Sequence, residues 1–566
     1  MKDNLWFLFL LLLIISCSDD SDDSKYRESS LTVRIRKFPE ALQPVNYVSV
    51  EAKSIIQLLY EFPEVIDNIT NAVRPGFAML QSIDKKSDTL CFSYKINEKA
   101  YWKNGFPITS SDIEASLKIY NLPGLNNNKV KLQISQIHGF GGNGDSFELF
   151  GVGNIENLRP IMGTFLVLPK HIYDPEGILD DISLQEIKEN IDVKKDRIAQ
   201  YLEFYQLEEL QSNIDKEISA GYRIQNWEPG QSITLDRVPG WWGYSAGGER
   251  DHLKTFADRI HYTVIPDESV ALIALKNNAI DVLPGISPHE FAEMQSDFNM
   301  NQRFHLLTPV GYRFVFLALN SRLEKFDLKV RQALAHLMPY EDIINVAALG
   351  FGQRTIGPIN PVDSTYYNNL DFIKFDNKNF EKLLSQSGHQ FKNGKWLNKL
   401  DEPLSFNLIY RSGNQLYESI ALILKEQFEN NGLGLEINSM EGSLVSKKLK
   451  SHDFELSLWA FRGGPYSHNF APLFSTEAAN IGGMNYSGFG NHQSDSVIYT
   501  INNAEKKETK IKALHELQRL LHEEKAVIFL FFEKDRIAVS KRFKNVYGFS
   551  RSPGYDVTQF QLANPN

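Results

Sequence analysis

Few residue groupings in this chain have spacing that chemistry demands. Gly139-Phe140-Gly141-Gly142-Asn143-Gly144 matches the glycine spacing of a dinucleotide-binding turn. Such a turn works only when a helix N-terminus follows to receive the phosphates. Here Asp145 follows and no helix start is legible, so the run reads as the flexible tip of a hairpin within 129–153. His515 and His522 are seven residues apart and share a helical face. They lack the four-residue spacing and paired glutamate of a zinc-protease helix, and read as solvent-facing. Ser487 in NYSGF lacks the leading glycine of a nucleophile elbow. Two cysteines, Cys17 and Cys91, cannot build a cysteine-rich zinc site. The sequence therefore points to no catalytic residue, no metal and no cofactor, and the expectation is a protein that is not an enzyme.

Cys17 has the clearest chemical context. Lys2 supplies a positive start, 5–15 is the apolar run LWFLFLLLLII, and Ser16 precedes Cys17. A run this short cannot span a bilayer and describes an export signal. A small residue directly before a cysteine resembles a bacterial lipobox, which makes Cys17 the lipidated first residue of the mature chain. Residues 18–30, SDDSDDSKYRESS, are too polar to bury a core and form an acidic flexible tether. The SDDSDD string resembles the export tag of surface lipoproteins in Bacteroidetes. The expected location is the envelope of a Gram-negative cell, at the periplasmic face or the outer-membrane surface.

Without residues 1–17, roughly 550 residues remain, enough for several domains. The 42% hydrophobic and 23% charged fractions are those of a globular protein. The net charge of −10 survives removal of the leader, because Lys2 and Asp3 cancel. With no basic tract, this excludes nucleic acid and adhesion to anionic lipid, leaving the anchor as the only membrane contact. Cys91, alone after lipidation of Cys17, has no disulfide partner and reads as a small buried residue in TLCFSYKI.

Periodicity places helices at 54–60, 110–120, 267–279, 328–338, 416–430 and 506–524. Strands are expected at 31–35, 90–96, 312–319, 404–410, 433–438, 454–460 and 526–532. Residues 222–236 read as two strands joined at Glu228-Pro229-Gly230, and 179–220 as a helical excursion. This alternation implies α/β layers.

Six strings then say more. Residues 94–117 (YKINEKAYWKNGFPITSSDIEASL), 221–243 (GYRIQNWEPGQSITLDRVPGWWG), 260–283 (IHYTVIPDESVALIALKNNAIDVL) and 326–344 (FDLKVRQALAHLMPYEDII) come in order, followed by DFELSLW at 453–459 and NYSGFG at 485–490. Together they resemble the extracellular solute-binding proteins of family 5, the peptide- and nickel-binding components of ABC importers. The motif residues have scaffold reasons: a turn through Asn104-Gly105, Asp112 near a helix start, and tryptophans packed around Glu228-Pro229-Gly230. The resemblance implies a two-lobed periplasmic-binding-protein-like α/β fold of class II, with an extra third domain and the ligand cleft between the lobes. Lobe I would combine 31–60, 163–307 and 526–566; the extra domain would be 61–162; lobe II would be 308–525.

The resemblance also implies a ligand site. Peptide-binding members commonly place an aspartate shortly after the tryptophan of the DFELSLW-like block, to hold the peptide's α-amino group. This chain has Arg462 at about that position, which suits carboxylate or phosphate and repels ammonium. Tyr410, Arg411 and Asn414 lie between a strand and a helix, where ligand groups collect in such sheets. Tyr312, beside the hinge that the resemblance implies near 307–312, and Trp459 complete the candidates. The expected function is a lipid-anchored, monomeric substrate-binding protein that captures a peptide or peptide-like solute for an ABC-importer permease. The alternatives are an anionic small molecule or metal chelate in the same cleft, or a surface-exposed sensing or interaction lipoprotein without a permease.

Overall fold

The computed structural model describes residues 30–47, 49–125, 128–189, 195–206, 220–466 and 468–563. The export segment, Cys17, the tether up to residue 29 and parts of 179–220 lie outside the described residues. Among the described residues no helix is long and apolar enough to cross a membrane.

Two large sheets organise the chain. The first has seven strands in the order Phe304–Leu307, Ile537–Ser540, Val282–Pro284, Ser30–Ile35, Arg259–Val264, Ser232–Arg237 and Tyr222–Glu228. Its last two strands form the expected hairpin, turning at Gly230 with φ +78°, a conformation that favours glycine. The second has six strands in the order Gly352–Arg354, Val527–Lys534, Val310–Leu319, Leu456–Arg462, Ser405–Arg411 and Gly434–Met440.

Period-2 geometry explains the six-stranded sheet. Along Val310–Leu319, Val315, Leu317 and Leu319 face one core with Val330, Leu334, Ile420 and Leu424. Phe314, Phe316 and Ala318 face the other, with Leu514, Leu517 and Leu521. A strand covered by helices on both sides must be apolar throughout, as FVFLAL is. Its neighbour Val527–Lys534 carries a bulge: Val315 pairs with Phe531 but Phe316 pairs with Phe529. Leu530 is the extra residue, so Leu530 and Phe531 both enter the first core.

The chain crosses between the sheets twice, between Leu307 and Val310 and between Lys534 and Ile537. The Asp535 N–H donates to the Pro309 carbonyl at 2.8 Å, tying the crossings together. The second crossing lies beyond the boundary expected at 525/526. The run IFLFF is apolar on both faces and is satisfied only between two helical layers, so it stays in the six-stranded sheet.

A separate four-stranded sheet is ordered Ala78–Lys86, Thr89–Ile96, Ser146–Val152 and Gly139–Asn143. The helix Ser110–Asn121 begins with a capping box between Thr109 and Asp112. The glycine-rich run is a paired strand rather than a loose tip: Gly139 to Asn143 lie opposite Phe150 to Ser146, and the turn falls at Gly144, φ +61°. The start of the expected hairpin is instead the helix Asn128–Ile134. Cys91 is half-buried on an alternating strand. His515 and His522 are half-buried too, not solvent-facing, because Lys507–Glu524 packs deeply. Burial pushes the His522 imidazole down to about 4.

Candidate ligand cavity

A cavity of about 660 Å³ opens mainly on the seven-stranded side of the molecule. Its walls come from the end of helix Val50–Leu59 and the segment after it, from residues near 160–166, 220–262 and 545–559, and from the loop after Leu456–Arg462. That last contribution, Gly464 to Tyr466, arrives from the six-stranded side. The volume suits a small organic solute rather than a macromolecule.

Tyrosines and Trp241 supply apolar surface, and a few charged groups supply direction. Glu61 follows the helix Val50–Leu59 and is buried, held by a backbone bridge in which the Val167 N–H donates to its carbonyl at 2.9 Å. Its Oε1 accepts the indole N–H of Trp241 at 2.7 Å and of Trp242 at 3.1 Å. Burial pushes its carboxyl up to about 7, against the pull of those two donors. Glu64 is paired: Arg159 grips it with both Nη atoms, Nη2 to Oε1 at 2.6 Å, and the Tyr94 hydroxyl donates to Oε2 at 3.1 Å. Asp67 takes the Arg74 Nε–H at 2.9 Å. Across the wall, Arg551 donates from Nη1 to the Ile66 carbonyl at 2.8 Å and to Asn68 Oδ1 at 3.4 Å. Tyr466 closes one side by donating to the Asn71 carbonyl.

None of the six side chains expected from the sequence lines this cavity. Arg462 is exposed at its strand end, and its charge counters the burial that raises the Asp535 carboxyl. Tyr410 turns into the core, Arg411 is exposed beside Gly442, and Asn414 caps the helix Gln415–Asn430 by accepting the Tyr417 N–H at 3.2 Å. Asn414 thus does the turn chemistry its position allows. Trp459 is half-buried, edge-on to Tyr486 at 6.2 Å. Tyr312 is buried beside the crossing, donating to Asp363 Oδ1 at 2.9 Å and accepting from Asn71 at 3.4 Å. Tyr312 is linked to the cavity wall only indirectly, through Asn71, whose carbonyl accepts from the lining Tyr466, and the rest lie apart. Sequence reasoning missed Glu61 and Arg551. The available signals were a lone acid inside the apolar run IIQLLYEF and the pair Trp241-Trp242, whose buried N–H groups need an acceptor.

Comparison with known proteins places this geometry. Residues 209–481 match the family described as bacterial extracellular solute-binding proteins, family 5 Middle. The oligopeptide-binding protein AppA of Bacillus subtilis is 22% identical over 534 residues, covering 91% of this chain and 89% of that one. Among solved structures, the ABC transporter substrate-binding protein CtaP of Listeria monocytogenes superposes with a TM-score of 0.71 at 16% identity, covering 94% of this chain and 99% of the other. NikA of Brucella suis, in complex with Fe(III)-EDTA, superposes with a TM-score of 0.72 at 16% identity, covering 94% and 99%. Both share the two-lobed fold with its third domain. The matched middle region, the near full-length kinship and the fold agree in supporting a solute-binding protein of family 5.

Proposed function

We propose that this chain is the solute-binding component of an ABC importer, taking a peptide or peptide-like solute into the cavity between its lobes and presenting it to a permease. The observation that carries the reading is the cavity itself: about 660 Å³, walled by tyrosines, and holding both a buried carboxyl group, Glu61, and a guanidinium, Arg551. The kinship with an oligopeptide-binding protein supports it. In this reading the lobes are 31–60 with 163–307 and the C-terminal segment, and 308–525 with the strand Val527–Lys534; the unit 61–162 is the third domain. Cys17 carries the lipid that holds a monomeric body in the envelope, and the chain binds rather than catalyses. Calorimetry with pools of short peptides tests the ligand, and binding by none of them would end the peptide reading. The intact mass of detergent-extracted protein tests the anchor: a mature chain starting at an acylated Cys17 is expected.

Arg551 also favours a second reading. Nη1 makes both of its described hydrogen bonds, which leaves Nε and Nη2 for an anionic ligand such as a carboxylate-bearing chelate. Native mass spectrometry of protein purified without refolding distinguishes the two by the mass of what is retained.

A further inference from the structure

Four carboxylates line the cavity, and three are committed elsewhere. Glu64 is paired with Arg159, and Asp67 with Arg74. Asp556 accepts the Asn68 amide at 3.1 Å and its own Thr558 N–H at 3.0 Å. Glu61 stands apart. Among the described residues neither it nor Asp556 forms an ion pair, but Asp556 accepts hydrogen bonds on both oxygens, whereas the two side-chain hydrogen bonds of Glu61 both fall on Oε1. A carboxylate can accept about four hydrogen bonds over its two oxygens, so Oε2 retains its full capacity.

A buried carboxylate without a counter-charge is costly, and it either takes up a proton or is completed by a cation. Two neutral indole donors orient Glu61 without neutralising it. They also place an indole ring beside it: Trp241 lines the same cavity, as does Tyr222. An anion flanked by aromatic rings is the arrangement that receives an ammonium group. The backbone bridge to Val167 and the indole pair fix the carboxylate before any ligand arrives, which keeps the cost of ordering it out of the binding step.

We propose that Glu61 is the seat for a primary-amine cation of the ligand, such as the free α-ammonium of a peptide, with Oε2 as its acceptor. The assignment rests on the peptide-like ligand proposed above and specifies which end of it is read.

The test compares a pool of short peptides with the same pool N-acetylated, by calorimetry, on the parent protein and on Glu61→Gln. The parent is expected to bind the free-amine pool on the order of tenfold or more tighter, the worth of a charge-assisted hydrogen bond. Glu61→Gln, which keeps an oxygen for the indoles, is expected to lose that preference. A second measurement needs no variant. Carbodiimide treatment of the parent with the free-amine pool bound should join the peptide amine to the Glu61 carboxyl as an amide, mapped by peptide mass spectrometry, and the acetylated pool should give no adduct. Equal binding of both pools, a preference that survives Glu61→Gln, or an adduct on Glu64, Asp67 or Asp556 would each overturn the assignment while leaving the peptide reading in place. Silence of both pools on the parent would overturn the two together.

Discussion

The Lys510 ammonium donates to the Asn157 carboxamide oxygen at 2.5 Å, joining the helix Lys507–Glu524, which packs on the six-stranded sheet, to the helix Ile155–Met162. The Asn502 carbonyl adds to the joint by accepting from Asn154 at 2.7 Å and from Asn157 at 2.9 Å. Lys510 is buried, and burial pushes its amine down to about 8. In the proposed domain division these contacts join the lobe of the six-stranded sheet to the unit 61–162, and they would break if the two parted as ligand leaves. Lys510→Met keeps the apolar stem and leaves the Asn157 oxygen unpartnered, at a cost of about 1–3 kcal/mol. Ligand should therefore leave faster, by about tenfold, with little change in how fast it arrives. Stopped-flow dissociation measures this, and an unchanged off-rate would refute a joint of this kind.

Glu61 makes stability depend on pH. Its carboxyl sits at about 7, whereas the unfolded value is 4.5. Tyr244, packed on Trp241, is a titratable neighbour, itself raised mainly by burial. Between these two values the folded state holds a proton that the unfolded state has released, so stability falls as pH rises through 4.5 to 7 and is level above. The loss is on the order of 3 kcal/mol. Glu61→Gln removes it. The variant should be more stable than the parent at pH 8 and match it near pH 4, which urea unfolding across that range will measure.

The lobes were legible because their signals are local. The alternation of FVFLAL, the Glu228-Pro229-Gly230 turn and the Asn414 cap all operate within a few residues. The cavity was not legible, because its charged residues come from opposite ends of the chain and acquire meaning only by what fails to pair with them. Glu64 and Glu61 are indistinguishable as letters; Arg159 reaches one and, among the described residues, no cation pairs with the other. The boundary expected at 525/526 failed for a related reason. The sequence marks 526–532 as a buried strand, but which sheet buries it depends on partners more than two hundred residues away, such as Val315 and Phe316.

His468 should titrate with the opposite sign. Burial, then the nearby Lys510, pushes its imidazole down to about 3, and its ring packs on Tyr366 at 4.5 Å. Unfolded histidine takes a proton near 6.5, so below that pH the unfolded state binds protons that the folded state refuses, and stability is lost as pH falls. His468→Phe keeps an aromatic ring against Tyr366 and cannot be protonated. Its unfolding free energy should fall less steeply below pH 6.5 than that of the parent. Parallel curves would show that His468 is protonated in the folded protein.

Arg462 tests whether a charge at the expected position acts on the ligand or on the scaffold. It ends the strand Leu456–Arg462 opposite Arg313, outside the cavity lining, and its guanidinium acts against the burial that raises Asp535. Asp535 sits on the second crossing, bonded through its N–H to Pro309 on the first. Arg462→Asp would set two carboxylates against each other beside the path by which the lobes are joined, and one would have to take up a proton. The expected result is a lower unfolding temperature at pH 7 that recovers as the solution is made acidic and the raised Asp535 carboxyl takes up its proton, with the ligand's charge preference unchanged. Arg462→Lys, which keeps the charge, should resemble the parent. If anionic ligands were lost while stability held, the guanidinium would be reaching the ligand directly and the scaffold role assigned to it would fall.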